Sequence, residues 1–210
     1  MKLLVITPST SIEHELTQTI SLLENGLQTL HVRKPKFTTK QVREYIETIP
    51  PQFHKNLVIH SHHELAIEYN LKGIHYTKSH LKDNFKNWWR QKRIKISQKH
   101  FSKSCSHTRL ASLYEEHKYE FDYVFLSPIF DSLSGKYQSG FYEEGIKAAI
   151  QKSGKKIIAR GGIEIQRIEK INELGFYGMA LFSCLWKKEN PLAEYLKIVH
   201  RMNELNIIQE

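Results

Sequence analysis

Hydrophobic positions in this chain fall into short uninterrupted runs, separated by longer segments in which apolar residues recur at helical spacing. Leu3–Ile6, Thr29–Val32, Leu57–Ile59, Gly73–Ile74, Ile94–Ser97 and Tyr123–Leu126 read as strands, and Ile157–Ala159 and Met179–Phe182 follow in the same manner. Strands that are apolar throughout, rather than alternating, suit a parallel sheet buried on both faces. The amphipathic segments between them predict helices over Ile12–Leu23, Thr39–Ile49, Glu64–Asn70, Asp83–Arg90, Ser104–Tyr119, Gly140–Lys152 and Glu164–Leu174. Pro191–Leu205 closes the chain as a last helix. Asn25-Gly26 and Pro50-Pro51 punctuate the first two helices as C-terminal stops. One unbroken strand–helix rhythm from residue 1 to residue 210 predicts a single α/β domain, a minimal (β/α)8 TIM barrel near the lower end of the usual size of roughly 200 to 400 residues. A doubly wound open sheet would show a G-x-G-x-x-G turn after the first strand. Here that strand exits into Thr7-Pro8-Ser9.

Composition narrows the classes. A chain of 210 residues with 40% hydrophobic content can bury one full core. No apolar run approaches the length of a bilayer span, and the N-terminus MKLLVITPSTS carries no signal-peptide core. A cytoplasmic protein with no membrane partner is the expectation. Two cysteines, Cys105 and Cys184, without a CxxC pattern do not suggest a disulfide framework. The net charge of +9 favours anionic ligands, but Lys and Arg are spread along the chain rather than gathered into an arm. The densest cluster, Trp88 to Arg93, reads as helical packing, so nucleic acid is not expected as a partner. A homo-oligomer is left open.

In a barrel the active site sits at the C-terminal ends of the strands. This chain puts there Thr7, Arg33, Lys34, His60, Ser61, His62, His75, His80, Gln98, His100, Ser127, Ser132, Ser134, Lys136, Gly161, Gly162 and Ser183. Cations, imidazoles and hydroxyls dominate and carboxylates are missing, which makes a poor Mg²⁺ site. Consecutive glycines after a strand let backbone N–H groups approach an anion, so Gly161, Gly162 and Ser183 read as a phosphate grip. Arg33 and Lys34 suit a phosphate or carboxylate. Single strand-end histidines such as His75 read as hydrogen-bonding residues. His60, His62, His63 and His80 offer an alternative reading as metal ligands, but no zinc spacing is present and no metal site is expected.

The order of several motifs resembles the thiamin phosphate synthase and thiazole tautomerase (TenI-like) family. Strand two reads His31-Val32-Arg33-Lys34-Pro35, against Q-L-R-E-K in the synthases. Strand three runs into His60-Ser61-His62-His63-Glu64-Leu65-Ala66, against N-D-R-x-x-L-A. Gly73-Ile74-His75-Tyr76-Thr77-Lys78-Ser79-His80 is similar to G-x-H-x-G-Q-x-D. Ser127-Pro128-Ile129-Phe130 opens a loop similar to G-P-I-F-x-T-x-T-K. Ala159-Arg160-Gly161-Gly162-Ile163 and Ala180-Leu181-Phe182-Ser183 match A-x-G-G-I and A-x-x-S.

The resemblance implies a (β/α)8 enzyme of thiamin biosynthesis acting on a small phosphorylated thiazole. It also implies that the two synthase aspartates that hold Mg²⁺ fall on Ser61 and His80, which puts pyrophosphate displacement in doubt. The leading expectation is therefore a metal-free thiazole tautomerase with no cofactor, in which His100, read against the strand-five motif S-x-H, moves the proton. Arg33 or Lys34 would hold the substrate carboxylate. Gly161, Gly162 and Ser183 would hold the phosphate, with His60, Ser132, Ser134, Lys136 and Phe182 as further substrate contacts. The alternatives are thiamin phosphate synthase, which would need Mg²⁺, and a non-catalytic ligand-binding or regulatory barrel.

Overall fold

The computed structural model describes residues 1–82, 101–115, 119–130 and 141–207. Eight parallel strands close into a barrel in sequence order, with the eighth beside the first. They are β1 (Lys2–Ile6), β2 (Leu30–Val32), β3 (Leu57–Ile59), β4 (Gly73–Tyr76), β5 (Ser102–His107), β6 (Tyr123–Leu126), β7 (Ile157–Arg160) and β8 (Gly178–Leu181). The helices between them are α1 (Glu15–Glu24), α2 (Thr39–Thr48), α3 (Glu64–Glu68), α4 (Lys78–Lys82), α5 (Glu143–Ser153), α6 (Ile168–Glu173), α7 (Ser183–Trp186) and α8 (Pro191–Glu204). Short 3-10 turns occupy Pro51–Asn56, Leu110–Leu113 and Ile165–Arg167. The expected (β/α)8 architecture is therefore the observed one.

Local chemistry explains most of the boundaries. Thr38 and Gln41 form a reciprocal capping box at the start of α2, and Asn190 accepts from the Ala193 N–H at 3.0 Å to start α8 behind Pro191. The first helix was expected from Ile12, yet α1 starts at Glu15, because His14 takes a left-handed conformation with φ 57° that a helix interior does not admit. The expected helix Glu164–Leu174 opens instead as the 3-10 turn and continues as the short α6.

Chain contacts group the residues into two compact units, Ile6–Cys105 and Met1–Val5 with Ser106–Glu210. In the first, β2 pairs β3 (His31 opposite Val58), β3 pairs β4 (Ile59 opposite Ile74) and β4 pairs β5 (His75 opposite Ser104). In the second, β6, β7 and β8 pair in turn and β8 pairs β1, with Leu3 opposite Met179. Each unit buries its own apolar strand residues, Leu30, Val58 and Ile74 in the first and Phe125, Ile158 and Leu181 in the second.

The fifth strand corrects the sequence reading. Ile94–Ser97 and the helix Asp83–Arg90 lie outside the described residues, and the expected helix Ser104–Tyr119 is replaced at its start by strand, since Ser104–His107 belongs to β5. This strand, Ser-Lys-Ser-Cys-Ser-His, carries no apolar run. It is held by close backbone approach to β4: a Cβ on Gly73 would stand 1.9 Å from the Ser102 carbonyl oxygen, so only glycine fits there.

No helix among the described residues is long and apolar enough to cross a membrane. Both cysteines are buried, and neither forms a disulfide.

Candidate active site

In the second unit, a pocket of about 550 Å³ opens where β6, β7 and β8 end. Thr108, Ser127, Arg160, Gly161, Gly162 and Ser183 supply its polar lining, and Pro128, Ile163, Ala180 and Phe182 its apolar wall. The sequence builds it in three steps. β7 ends in Arg160, and Gly161 and Gly162 then take φ 91° and 66°, a pair of left-handed residues that turns the backbone back and that only glycine adopts at low cost. The turn is locked against the β6 exit, where Ile129 N donates to the Arg160 carbonyl at 3.0 Å and Phe130 N to the Gly161 carbonyl at 3.2 Å. Gly161 is so close to Pro128 that an added Cβ would meet its Cα at 3.0 Å. Arg167 braces the far side, donating to the Gly162 carbonyl at 2.8 Å with its guanidinium 4.9 Å from the Phe130 ring centre. Then Phe182 breaks the run of β8, and Ser183 begins α7.

The expected grip residues Gly161, Gly162 and Ser183, and the expected substrate contact Phe182, thus line one pocket. Arg160, Thr108 and Ser127 line it too and were not singled out as binding residues. Arg160 was legible, as a cation immediately before a glycine pair. Its charge and the serine and threonine hydroxyls suit an oxyanion. Cys184, next to Ser183, is buried, and burial pushes its thiol up to about 11, which disfavours the thiolate.

β5 ends at the buried His107, one residue before Thr108 in the pocket wall. Its carbonyl accepts from Ser127 N at 3.1 Å. His100, assigned the proton-transfer role by sequence, precedes β5 and lies outside the described residues. The histidine at the C-terminal end of the fifth strand is His107. Ser132, Ser134 and Lys136 also lie outside the described residues.

In the first unit, the two cations after β2 part company. Arg33 is half-buried, and its backbone N–H donates to Thr7 Oγ1 at 2.9 Å. Lys34 is 1% exposed and turned toward α1, where its ammonium meets Glu15 Oε2 at 2.6 Å, with Glu15 4% exposed. The Phe37 and Tyr45 rings each stand 5.4 Å from the ammonium, and the Tyr45 hydroxyl donates to Glu15 Oε1 at 2.9 Å. Burial, then the Glu15 charge, holds the Tyr45 phenol well above its ordinary range. Contrary to the expectation for Lys34, a buried ammonium committed to a carboxylate of its own chain is not placed to hold a substrate carboxylate.

Strand alternation sends His31, His60 and His75 to the opposite face of β2, β3 and β4 from Lys34. All three are buried. His31 Nδ1 lies 3.0 Å from His60 Nε2, the His60 and His75 rings stack with centres 4.2 Å apart, and His75 Nδ1 lies 2.9 Å from Ser104 Oγ. The other histidines of this region have structural partners: His62 bonds Phe37 O at 2.8 Å and Thr39 Oγ1 at 2.9 Å, and His63 Nε2 bonds the His75 carbonyl at 3.2 Å. His80 Nδ1 accepts from Thr77 N at 3.3 Å. Ser61 and His80, at the positions where the resemblance puts Mg²⁺-binding aspartates, offer one neutral hydroxyl and one imidazole already engaged through Nδ1. That donor set does not fit Mg²⁺, which requires carboxylate or other hard oxygen ligands.

A sequence model of the family described as thiamine monophosphate synthase (TMP-TENI) matches residues 3–185. Among solved structures, the chain is similar to thiamine phosphate pyrophosphorylase from Bacteroides thetaiotaomicron, with 28% identity over 98% of each chain and a TM-score of 0.77. Thiamine phosphate pyrophosphorylase from Pyrococcus furiosus superposes with a TM-score of 0.76 at 17% identity, over 97% of this chain and 96% of the other, and shows the shared fold. No curated protein sequence matches the chain.

Proposed function

Since the chain belongs to the thiamine monophosphate synthase family, we propose that it is an enzyme of thiamine biosynthesis that binds a phosphorylated thiazole. The observation that carries this reading is the pocket where Gly161, Gly162 and Ser183 meet Arg160, a cationic, hydroxyl-lined turn shaped for a phosphate. The phosphate would sit on the glycine turn, with Arg160 supplying charge and Ser183, Ser127 and Thr108 supplying hydroxyl donors.

Two reactions remain for the bound thiazole. The first is condensation with a pyrimidine diphosphate, the synthase reaction. The family match and the 28%-identical relative support it, and they put it ahead of the tautomerase that the motif resemblance made the leading expectation. Ser61 and His80 do not fit Mg²⁺. The second reading is the proton shift that aromatises a thiazole carboxylate phosphate. His107 is the imidazole on which this reading rests: it ends β5, is buried, and precedes the pocket residue Thr108 by one position.

One paired assay separates them. The purified chain is given thiazole phosphate and pyrimidine diphosphate, with and without Mg²⁺, and separately the thiazole carboxylate tautomer. Condensation product supports the first reading. Tautomer conversion without condensation, lost roughly 100- to 10,000-fold in His107→Asn and retained in His100→Asn, supports the second. Neither product, with a thermal shift on adding thiazole phosphate, would mean a ligand-binding barrel without catalysis. No binding at all would sink the proposal.

A further inference from the structure

We propose that His31, His60 and His75 form a binding site for a divalent transition-metal ion of borderline softness, with Zn²⁺ or Co²⁺ as the fitting class. The inference is independent of which reaction the enzyme performs.

Three adjacent strands each contribute one imidazole to the same face. His31 is the middle residue of β2, His60 follows β3, and His75 is the third residue of β4. One ring nitrogen from each lies within 4.8 Å of the others. His31, His60 and His75 are 0%, 7% and 3% exposed, so the group is built into the fold rather than formed by surface side chains.

The chemistry selects the ion. Neutral imidazoles are ligands for Zn²⁺, Co²⁺, Ni²⁺ and Cu²⁺ and poor ones for Mg²⁺ or Ca²⁺. Two nitrogens bound to one tetrahedral ion at about 2.0–2.1 Å stand about 3.3 Å apart. His31 Nδ1 and His60 Nε2 stand 3.0 Å apart, so a small opening of this pair admits the ion. Ser104 Oγ, 2.9 Å from His75 Nδ1, can accept the proton on that nitrogen and leave Nε2 for the metal. Such an outer partner orients the ring of a metal-ligating histidine. Three protein nitrogens leave a fourth position open to water or to a ligand atom, the pattern of reactive rather than purely structural zinc sites.

The test uses the full chain, stripped with a chelator and titrated with Co²⁺, whose visible absorption reports tetrahedral nitrogen coordination. The expected result is a band that saturates at one equivalent and is displaced by Zn²⁺. His31→Gln and His75→Gln should each weaken binding at least about 100-fold, more than the roughly 10- to 100-fold expected for Ser104→Ala behind the first ligands. His200→Gln, on an exposed part of α8, should leave binding unchanged. Absence of a saturable band overturns the proposal, as does binding that survives within threefold in both His31→Gln and His75→Gln. If those variants do not fold, anomalous diffraction from the cobalt-loaded wild type decides: an ion among the three rings supports the site, and an ion elsewhere overturns it.

Discussion

Two strand ends in this barrel carry a cation followed by a change of direction, and they put it to opposite use. After β2, Lys34 turns toward the helices and is consumed by Glu15, 2.6 Å away and 4% exposed. At the end of β7, Arg160 stays half-buried and lines a pocket floored by two glycines. The residue types are equivalent and the strand ends are equivalent. What differs is parity along the strand and what lies across from it: Lys34 falls on the helix-facing side, opposite a buried carboxylate, whereas Arg160 is followed by two left-handed glycines that turn the backbone along the pocket wall. A cation at a barrel mouth is therefore evidence of binding only once its face is known.

The sharpest way to break that contrast is to remove Glu15. Glu15→Ala leaves a buried ammonium without its carboxylate and should cost about 3–5 kcal/mol in denaturant unfolding. The double substitution Glu15→Leu with Lys34→Met removes both charges and should recover most of that loss. The double variant should bind thiazole phosphate as the wild type does. A Lys34→Met variant that keeps its stability but loses affinity for thiazole phosphate would show instead that Lys34 works at the mouth.

Arg160 should behave in the reverse manner. Arg160→Gln shortens the side chain and removes its charge, and stability should change less than in Glu15→Ala. Affinity for thiazole phosphate, read by calorimetry, should fall roughly 10- to 100-fold, the loss of a charge-assisted hydrogen bond of about 1.5–3 kcal/mol. Ser183→Ala removes a neutral donor and should cost about tenfold or less. Unchanged affinity in both variants would move the phosphate out of this pocket.

The same contrast explains what could be read from the sequence. Strands with apolar cores, such as Leu57–Ile59, Tyr123–Leu126 and Ile157–Ile158, announced themselves, and with them the barrel and the glycine turn. β5 did not, because Ser-Lys-Ser-Cys-Ser-His is held by the close approach of Gly73 and by the Ser104–His75 pair rather than by apolar burial. The apolar Ile94 to Ser97 drew the assignment instead and carried the catalytic role to His100, when β5 ends at His107. The partners of His31 and Lys34 were illegible for a related reason. His60 is 29 residues from His31, and Glu15 is 19 from Lys34. Only three-dimensional register brings such pairs together.

The smallest effect concerns the residue beside the grip. Burial raises the Cys184 thiol from its ordinary value of 9.0 to about 11, while in the unfolded chain it ionises near the ordinary value. A raised acid stays protonated in the fold, so its contribution to stability is intact below about pH 9. That contribution is lost progressively as the pH climbs to about 11, because the unfolded state releases the proton first. At pH 10 the loss amounts to about 1 kcal/mol. At pH 10, Cys184→Ala should therefore lessen the alkaline decline of wild-type stability by about that amount, leaving the part due to the raised Tyr45 and Tyr195 phenols. It should also leave thiazole phosphate affinity unchanged, since the thiol packs behind Ser183 rather than lining the pocket. Equal alkaline slopes in the two proteins would mean that Cys184 ionises in the folded chain as readily as in the unfolded one.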